Sequence, residues 1–280
     1  MNLYPIEKLS GLNRESFKKN YLDPMKPVVF TDLINDWPAK DLWTFEYLKT
    51  NYGHLKVPIY DSSFSKAGKN YMSSTGTMKF GDYLDLIQRE PTELRIFLWN
   101  IFKQAPELAQ HIKIPNIMNG FYNEFPFMFF GGQGSYTRIH YDIDCSHVFL
   151  TQLQNRKRVL LFDQDQSKYL YHIPYTVACL VNPIELDEEK YPGIKQLIGY
   201  ETILEHGETL FIPSMYWHHI EYTDGGFSLS LRASNSIGLK AKGIYNIARH
   251  FAIDRGMNMI LGSRWMDMKI KMAKRNAHLA

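Results

Sequence analysis

The stretch Gly207-Glu208-Thr209-Leu210-Phe211-Ile212-Pro213, followed two residues later by Tyr216-Trp217-His218-His219-Ile220, decides the fold. An apolar, β-rich run ends at a proline, which cannot donate to a sheet ladder, and a second run resumes at His218. The same texture extends outward through residues 128–130, 137–142, 147–154, 158–163, 209–213, 218–222 and 227–233, punctuated by Gly, Pro and Asp. Several short strands so punctuated predict a β-sandwich or barrel. In the last run Phe227, Leu229 and Leu231 alternate with Ser228, Ser230 and Arg232, giving one apolar and one polar face. If both faces are enclosed, the polar one must look into a working cavity, because a buried unpaired guanidinium is very costly.

The flanks read differently. Lys26-Pro27-Val28-Val29-Phe30 is β-rich, and Thr44 is placed to cap a helix carrying Phe45, Tyr47 and Leu48 and stopped by Gly53. Residues 78–88 repeat the helical spacing with Phe80, Tyr83, Leu84 and Ile87, and these elements are expected to pack outside a sheet. Residues 167–200, with Pro174, Pro183 and Pro192, read as a long irregular insertion of the kind that often gates a substrate. After Gly238 two helical stripes follow: Ile244, Ile247, Ala248 and Phe251, then Leu261, Trp265, Met268 and Met272.

The 280 residues suit one domain with a helical appendage, and 45% hydrophobic with 22% charged residues excludes disorder. A net charge of +3 with scattered basic residues shows no dense cationic footprint, so nucleic acid is possible as a partner but not favoured. Two cysteines, Cys145 and Cys179, without CxxC spacing argue against a disulfide framework and a thiolate zinc site, and for a reducing interior. No signal core or membrane-length apolar run is present, so the expectation is a soluble, cytoplasmic protein with no membrane partner.

The chemistry centres on His140-Tyr141-Asp142 and on His218. Strand alternation puts His140 and Asp142 on one side, and a third ligand from a neighbouring strand completes one face of an octahedron. Two imidazoles and one carboxylate leave adjacent positions open, as a non-haem Fe(II) oxygenase needs for a chelating cosubstrate and dioxygen. Gly131-Gly132-Gln133-Gly134 joins two strands instead of opening a helix, so it is no phosphate cradle. Asp144 and His147 near the triad read as ordinary loop polars, with support of the ligands or substitution for one of them as the alternatives.

With these motifs, and with Asp36-Trp37-Pro38-Ala39, Trp43-Thr44 and Gly199-Tyr200-Glu201-Thr202, the chain resembles the cupin-like JmjC 2-oxoglutarate oxygenases, the asparaginyl hydroxylases above all. The resemblance implies a mainly β fold with flanking helices, a double-stranded β-helix (jelly roll). It implies a catalytic domain over 1–237, with its β-core at about 128–234, and a helical dimerisation segment over 238–280. By the same resemblance His140, Asp142 and His218 hold Fe(II), while His219 points away. Lys157 and Thr137 hold the distal carboxylate of 2-oxoglutarate, and dioxygen is the second cosubstrate. Two departures stand out: Phe97 replaces a tyrosine that helps hold that carboxylate, and Arg232 replaces an asparagine near the metal-bound end. Arg232 is thus expected to contact cosubstrate or substrate, or to form a structural pair. The asparaginyl enzymes' substrate-facing residues have no clear counterparts at 177–185, nor does their tryptophan at Ser234. The implied reaction is hydroxylation, with a protein side chain as the favoured substrate and tRNA or a small molecule as alternatives. A zinc-type cupin hydrolase or isomerase would lack a reason for Lys157 and Thr137, and a non-catalytic cupin would have no need to keep all three ligands.

Overall fold

The computed structural model describes residues 1–62, 73–122 and 126–278. Its strands are Asn2–Pro5 (β1), Lys8–Leu9 (β2), Val28–Phe30 (β3), Lys56–Ile59 (β4), Gly76–Lys79 (β5), Arg95–Trp99 (β6) and Phe127–Gly131 (β7). They continue as Tyr136–His140 (β8), His147–Gln154 (β9), Lys157–Phe162 (β10), Ile198–Leu204 (β11), Thr209–Ile212 (β12), Trp217–Glu221 (β13) and Gly226–Ala233 (β14). Helices are Arg14–Phe17 (α1), Ala39–Leu42 (α2), Phe45–Tyr52 (α3), Phe80–Arg89 (α4), Ile237–Arg249 (α5), Gly256–Leu261 (α6) and Ser263–His278 (α7).

Two sheets face each other: a five-stranded one in the order β1-β11-β10-β13-β8 and a seven-stranded one in the order β2-β3-β12-β9-β14-β7-β6. From β7 to β14 the chain passes back and forth, leaving β7, β9, β12 and β14 in the large sheet and β8, β10, β11 and β13 in the small one. That is the jelly roll expected from the run of short strands.

Alternation sets the layers. Val148, Leu150, Val159, Leu161, Leu210 and Ile212 fill part of the space between the sheets. Phe149, Phe211, Phe227, Leu229 and Leu231 point to the other side of the large sheet, into a cluster with Phe17, Trp43, Leu48, Tyr83 and Leu84. The N-terminal helices are therefore the cover of that sheet. Thr44 caps α3 by accepting from the Tyr47 N–H at 3.1 Å, and Gly53 closes it. Helix α4 starts at Phe80, because Met78 and Lys79 belong to β5 and pair with Val57 and Lys56.

The insertion is shorter and better packed than its prolines suggested. Residues 198–200 belong to β11, which pairs antiparallel with β10 and parallel with β1. The preceding Leu170, Tyr171, Cys179, Ile194 and Leu197 are buried against Ile139, Leu160, Phe162 and Trp217 on the outer face of the small sheet. Its buried side chains cover that face, while residues 184–190 stay exposed.

Ser236 caps α5 by accepting from the Leu239 N–H at 3.1 Å. The C-terminal helices partly fold back on the barrel: Trp265 is buried beside Tyr175 at 5.6 Å between ring centroids, and Arg249 lies 4.8 Å over the Tyr175 ring. Trp265 and the buried Lys269 both donate to Asp254, so this segment has its own polar core. Ile244, Phe251, Met259, Ile260 and Met268 remain exposed. Among the described residues no helix is long and apolar enough to cross a membrane.

Candidate active site

Strand β13 lies against β8 with His218 opposite His140, and the register slips between His218 and Ile220. The two imidazole centroids are 4.2 Å apart. Strand β8 ends at His140, so Asp142 comes from the turn beyond it, which Cys145 closes by donating its N–H to Asp142 O at 3.1 Å. One donor atom each from His140, Asp142 and His218 lies within 4.8 Å of the others.

Backbone carbonyls fix which nitrogens face inward. His140 Nδ1 sits 2.8 Å from Arg138 O, and His218 Nδ1 sits 3.0 Å from Tyr216 O. A carbonyl only accepts, so each Nδ1 carries the proton and each Nε2 lone pair is left for a metal. Burial, and then the neighbouring His218, push the His140 pKa down to about 3, keeping that ring neutral. Burial alone would raise Asp142, but Arg232 and the two histidines outweigh it and hold the carboxyl below its usual range. Two imidazoles, each offering Nε2, and one carboxylate make a donor set that fits a divalent iron.

Arg232 serves that carboxylate directly. Its Nη2 donates to Asp142 Oδ1 at 2.9 Å, and its Nη1 donates to Asp144 Oδ1 at 3.0 Å and to Ser146 Oγ at 2.9 Å. Its fork is thus filled by the carboxylates of the ligand turn. Asp144, read from sequence as a loop polar, is one of its two ionic partners. His147 is fully buried away from the triad: Nδ1 accepts from the Ser214 N–H at 3.0 Å and Nε2 donates to Asn235 Oδ1 at 3.1 Å. His219 is buried with its ring 5.8 Å from that of Tyr136, so the adjacent histidines occupy different surroundings.

A second polar group lies further along the same strands. Lys157, fully buried, reaches from the small sheet across to Ser228 Oγ on the large one at 2.8 Å and lies 4.3 Å over the Tyr222 ring. No carboxylate among the described residues pairs with it, and burial pushes its pKa down to about 7. Thr137 Oγ1 accepts from Arg95 Nη1 at 3.1 Å. The buried Arg95 guanidinium is also 5.8 Å from the ring of Phe97, which packs on Tyr60. Arg95 and Tyr222 escaped the sequence reading, which did place Ser228 on the cavity face of its strand. A single charge inside the apolar run 94–99 was the available signal for Arg95, whereas Tyr222 carried none.

A protein-family model described as "Cupin-like domain" matches residues 14–233. The chain is 30% identical over 245 residues to lysine-specific demethylase JMJ30 of Arabidopsis thaliana, covering 82% of this chain and 55% of that protein. It is 28% identical to lysine-specific demethylase 8 of Xenopus tropicalis, covering 80% of this chain and 52% of the relative. It is also 28% identical to tRNA wybutosine-synthesizing protein 5 of Gallus gallus, covering 81% and 76% respectively. The chain thus spans about half the length of the two demethylases.

Proposed function

The chain belongs to the cupin-like domain family, and on that premise we propose that it is a JmjC-type oxygenase dependent on Fe(II) and 2-oxoglutarate. His140, Asp142 and His218 would hold the iron, and Lys157 with Thr137 would hold the distal carboxylate of the cosubstrate. Bound together with dioxygen, these groups supply oxidative decarboxylation of 2-oxoglutarate to succinate and carbon dioxide, coupled to oxidation of a substrate C–H bond.

The observation that carries this reading is Lys157, a buried amine with no carboxylate partner among the described residues, reaching across the space between the sheets and chargeable by one. A hydrolase or a binding module has no use for it; a dicarboxylate does. Along β14, Ser228 and Arg232 are four residues apart, about 13 Å of strand, so the two cations serve different ends of the cavity. We assign Lys157 to the cosubstrate carboxylate and Arg232 to holding Asp142, with Arg95 orienting Thr137 from behind. Where Phe97 has lost a hydroxyl donor, the neighbouring Arg95 keeps that wall polar.

A protein side chain is the proposed substrate class, supported by the relatives named as lysine-specific demethylases. Hydroxylation is the proposed step, whether the hydroxyl group stays on carbon or, on an N-methyl group, is lost with it. The relatives support JmjC oxygenases at large and not the asparaginyl hydroxylases specifically. A second reading, an RNA substrate, is favoured by one feature the scattered-charge expectation overlooked. Residues 238–280 hold nine Lys or Arg against two Asp, and the tRNA wybutosine-synthesizing relatives act in RNA chemistry by name. For the exposed apolar side chains of α5 to α7 the proposed cover is a second copy of the chain, forming a homodimer. Two buried free thiols are in keeping with a cytoplasmic setting.

Anaerobic titration of metal-free protein with Fe(II) and then 2-oxoglutarate tests the core of this reading. The expected result is a visible metal-to-ligand charge-transfer band that needs both additions. No band with both present would overturn it.

A further inference from the structure

Helix α5 presses on the turn that carries Asp142. A Cβ built on Gly243 would lie 2.1 Å from the Asp144 carbonyl oxygen and 2.7 Å from its carbonyl carbon, backbone atoms that no side-chain rotation can clear. Three residues on, Asn246 Nδ2 donates to Cys145 Sγ at 3.1 Å. From the opposite side Ser214 Oγ donates to Cys145 O at 2.6 Å, and Cys145 itself is held at a left-handed φ of 54°. Asp144, fixed in this way, shares Arg232 with Asp142. A glycine in the interior of a helix is less favourable than alanine, so its presence at 243 answers to the close approach and not to the helix.

We propose that Gly243 is a positioning residue for the metal centre. By letting α5 close onto residues 142–146, it sets where Asp144 meets Arg232 and hence where Arg232 holds the Asp142 carboxylate. The inference rests on His140, Asp142 and His218 being the ligands. It makes the C-terminal helical segment part of the site's support, although Gly243 is no donor itself. Alanine at 243 forces the turn away from α5, draws Asp144 off Arg232 and tilts the ligand carboxylate, while favouring the helix.

The test is Co(II) binding to the metal-free full chain, followed by calorimetry and by the visible ligand-field bands, with thermal midpoints and light scattering alongside. Gly243→Ala is compared with Gly256→Ala, a helical position where an added Cβ meets nothing within 4 Å. The expected result is Co(II) affinity about 10- to 100-fold weaker in Gly243→Ala, with altered bands and unchanged oligomeric state, and wild-type behaviour in Gly256→Ala. Wild-type affinity and bands in Gly243→Ala would overturn the proposal, and so would a lowered thermal midpoint without a change in affinity. Should Gly243→Ala fail to fold, Asn246→Ala replaces it, expected to weaken Co(II) in the same direction, and wild-type affinity there is the overturning result. Co(II) binding that survives His140→Ala would instead remove the ligand assignment itself, an outcome separable from the behaviour of Gly243.

Discussion

Lys157 ties cosubstrate binding to pH. Burial holds its free pKa near 7, and a carboxylate laid against it restores the charged form. Taking that value, the charged fraction in the free protein falls from about 0.9 at pH 6 to about 0.03 at pH 8.5. If only the charged lysine holds the anion, apparent affinity drops about thirtyfold over that range, about 2 kcal/mol, and binding at pH 8.5 takes up nearly one proton. The assay is calorimetry of N-oxalylglycine binding to the Zn(II)-substituted protein, in pairs of buffers with different ionisation heats. His140, with its pKa near 3, does not titrate in this window. Lys157→Arg should flatten the pH dependence, since a guanidinium stays charged throughout. Flat affinity and no proton uptake in the wild type would refute the reasoning. The same lowered pKa has a stability consequence of definite sign: the unfolded chain keeps this proton up to its ordinary 10.5 while the native state releases it near 7. Stability of the metal-free protein should therefore gain a contribution as pH rises from about 7 to 10.5.

His140→Ala, Asp142→Ala and His218→Ala should each abolish Fe(II)-dependent succinate formation with circular dichroism unchanged, whereas His219→Ala keeps most of it; the reverse pattern for the two adjacent histidines would shift the ligand by one residue. Arg232→Met strands two carboxylates, so the thermal or denaturant midpoint should fall by the equivalent of roughly 3–5 kcal/mol, together with metal affinity; a stable variant with full metal affinity would contradict the role given to Arg232. Arg95→Met should raise the apparent KM for 2-oxoglutarate while leaving Co(II) binding alone, and an unchanged KM would remove Arg95 from the cosubstrate wall. Light scattering at micromolar concentration should report a dimer that Ile244→Asp with Phe251→Asp dissociates; a monodisperse wild-type monomer would end the dimer proposal.

Where local chemistry governs the backbone, the chain was readable. The run 147–154 matches β9 at both ends, the Thr44 cap and the Gly53 stop bound α3, and the alternation over 227–233 separates the two faces of β14. The spacing of His140, Asp142 and His218 also pointed to three side chains that do converge. What stayed hidden depends on distant partners. The two-residue β2 exists only because β3 lies beside it, and β1 because β11 does. The whole of β11 went unread, with Gly199 interrupting its start after a proline-rich segment. For Arg232 the sequence left cosubstrate, substrate and a structural carboxylate pair open together, because its partners on the 142–146 turn lie about ninety residues earlier and no local pattern announces that pairing.

The two faces of β14 divide selection between neighbouring codons. Phe227, Leu229 and Leu231 answer to the helices packed behind the large sheet, and Ser228, Ser230 and Arg232 answer to the chamber in front of it. A library varied at 228 and 230 would reshape the chamber without thinning the wall. One varied at 227, 229 and 231 would harden or soften the wall and leave the chamber as it was. Evolution of a new specificity at 228 and 230 and drift in thermal tolerance at 227, 229 and 231 can therefore proceed side by side on one eight-residue strand, with Arg232 alone answering to both.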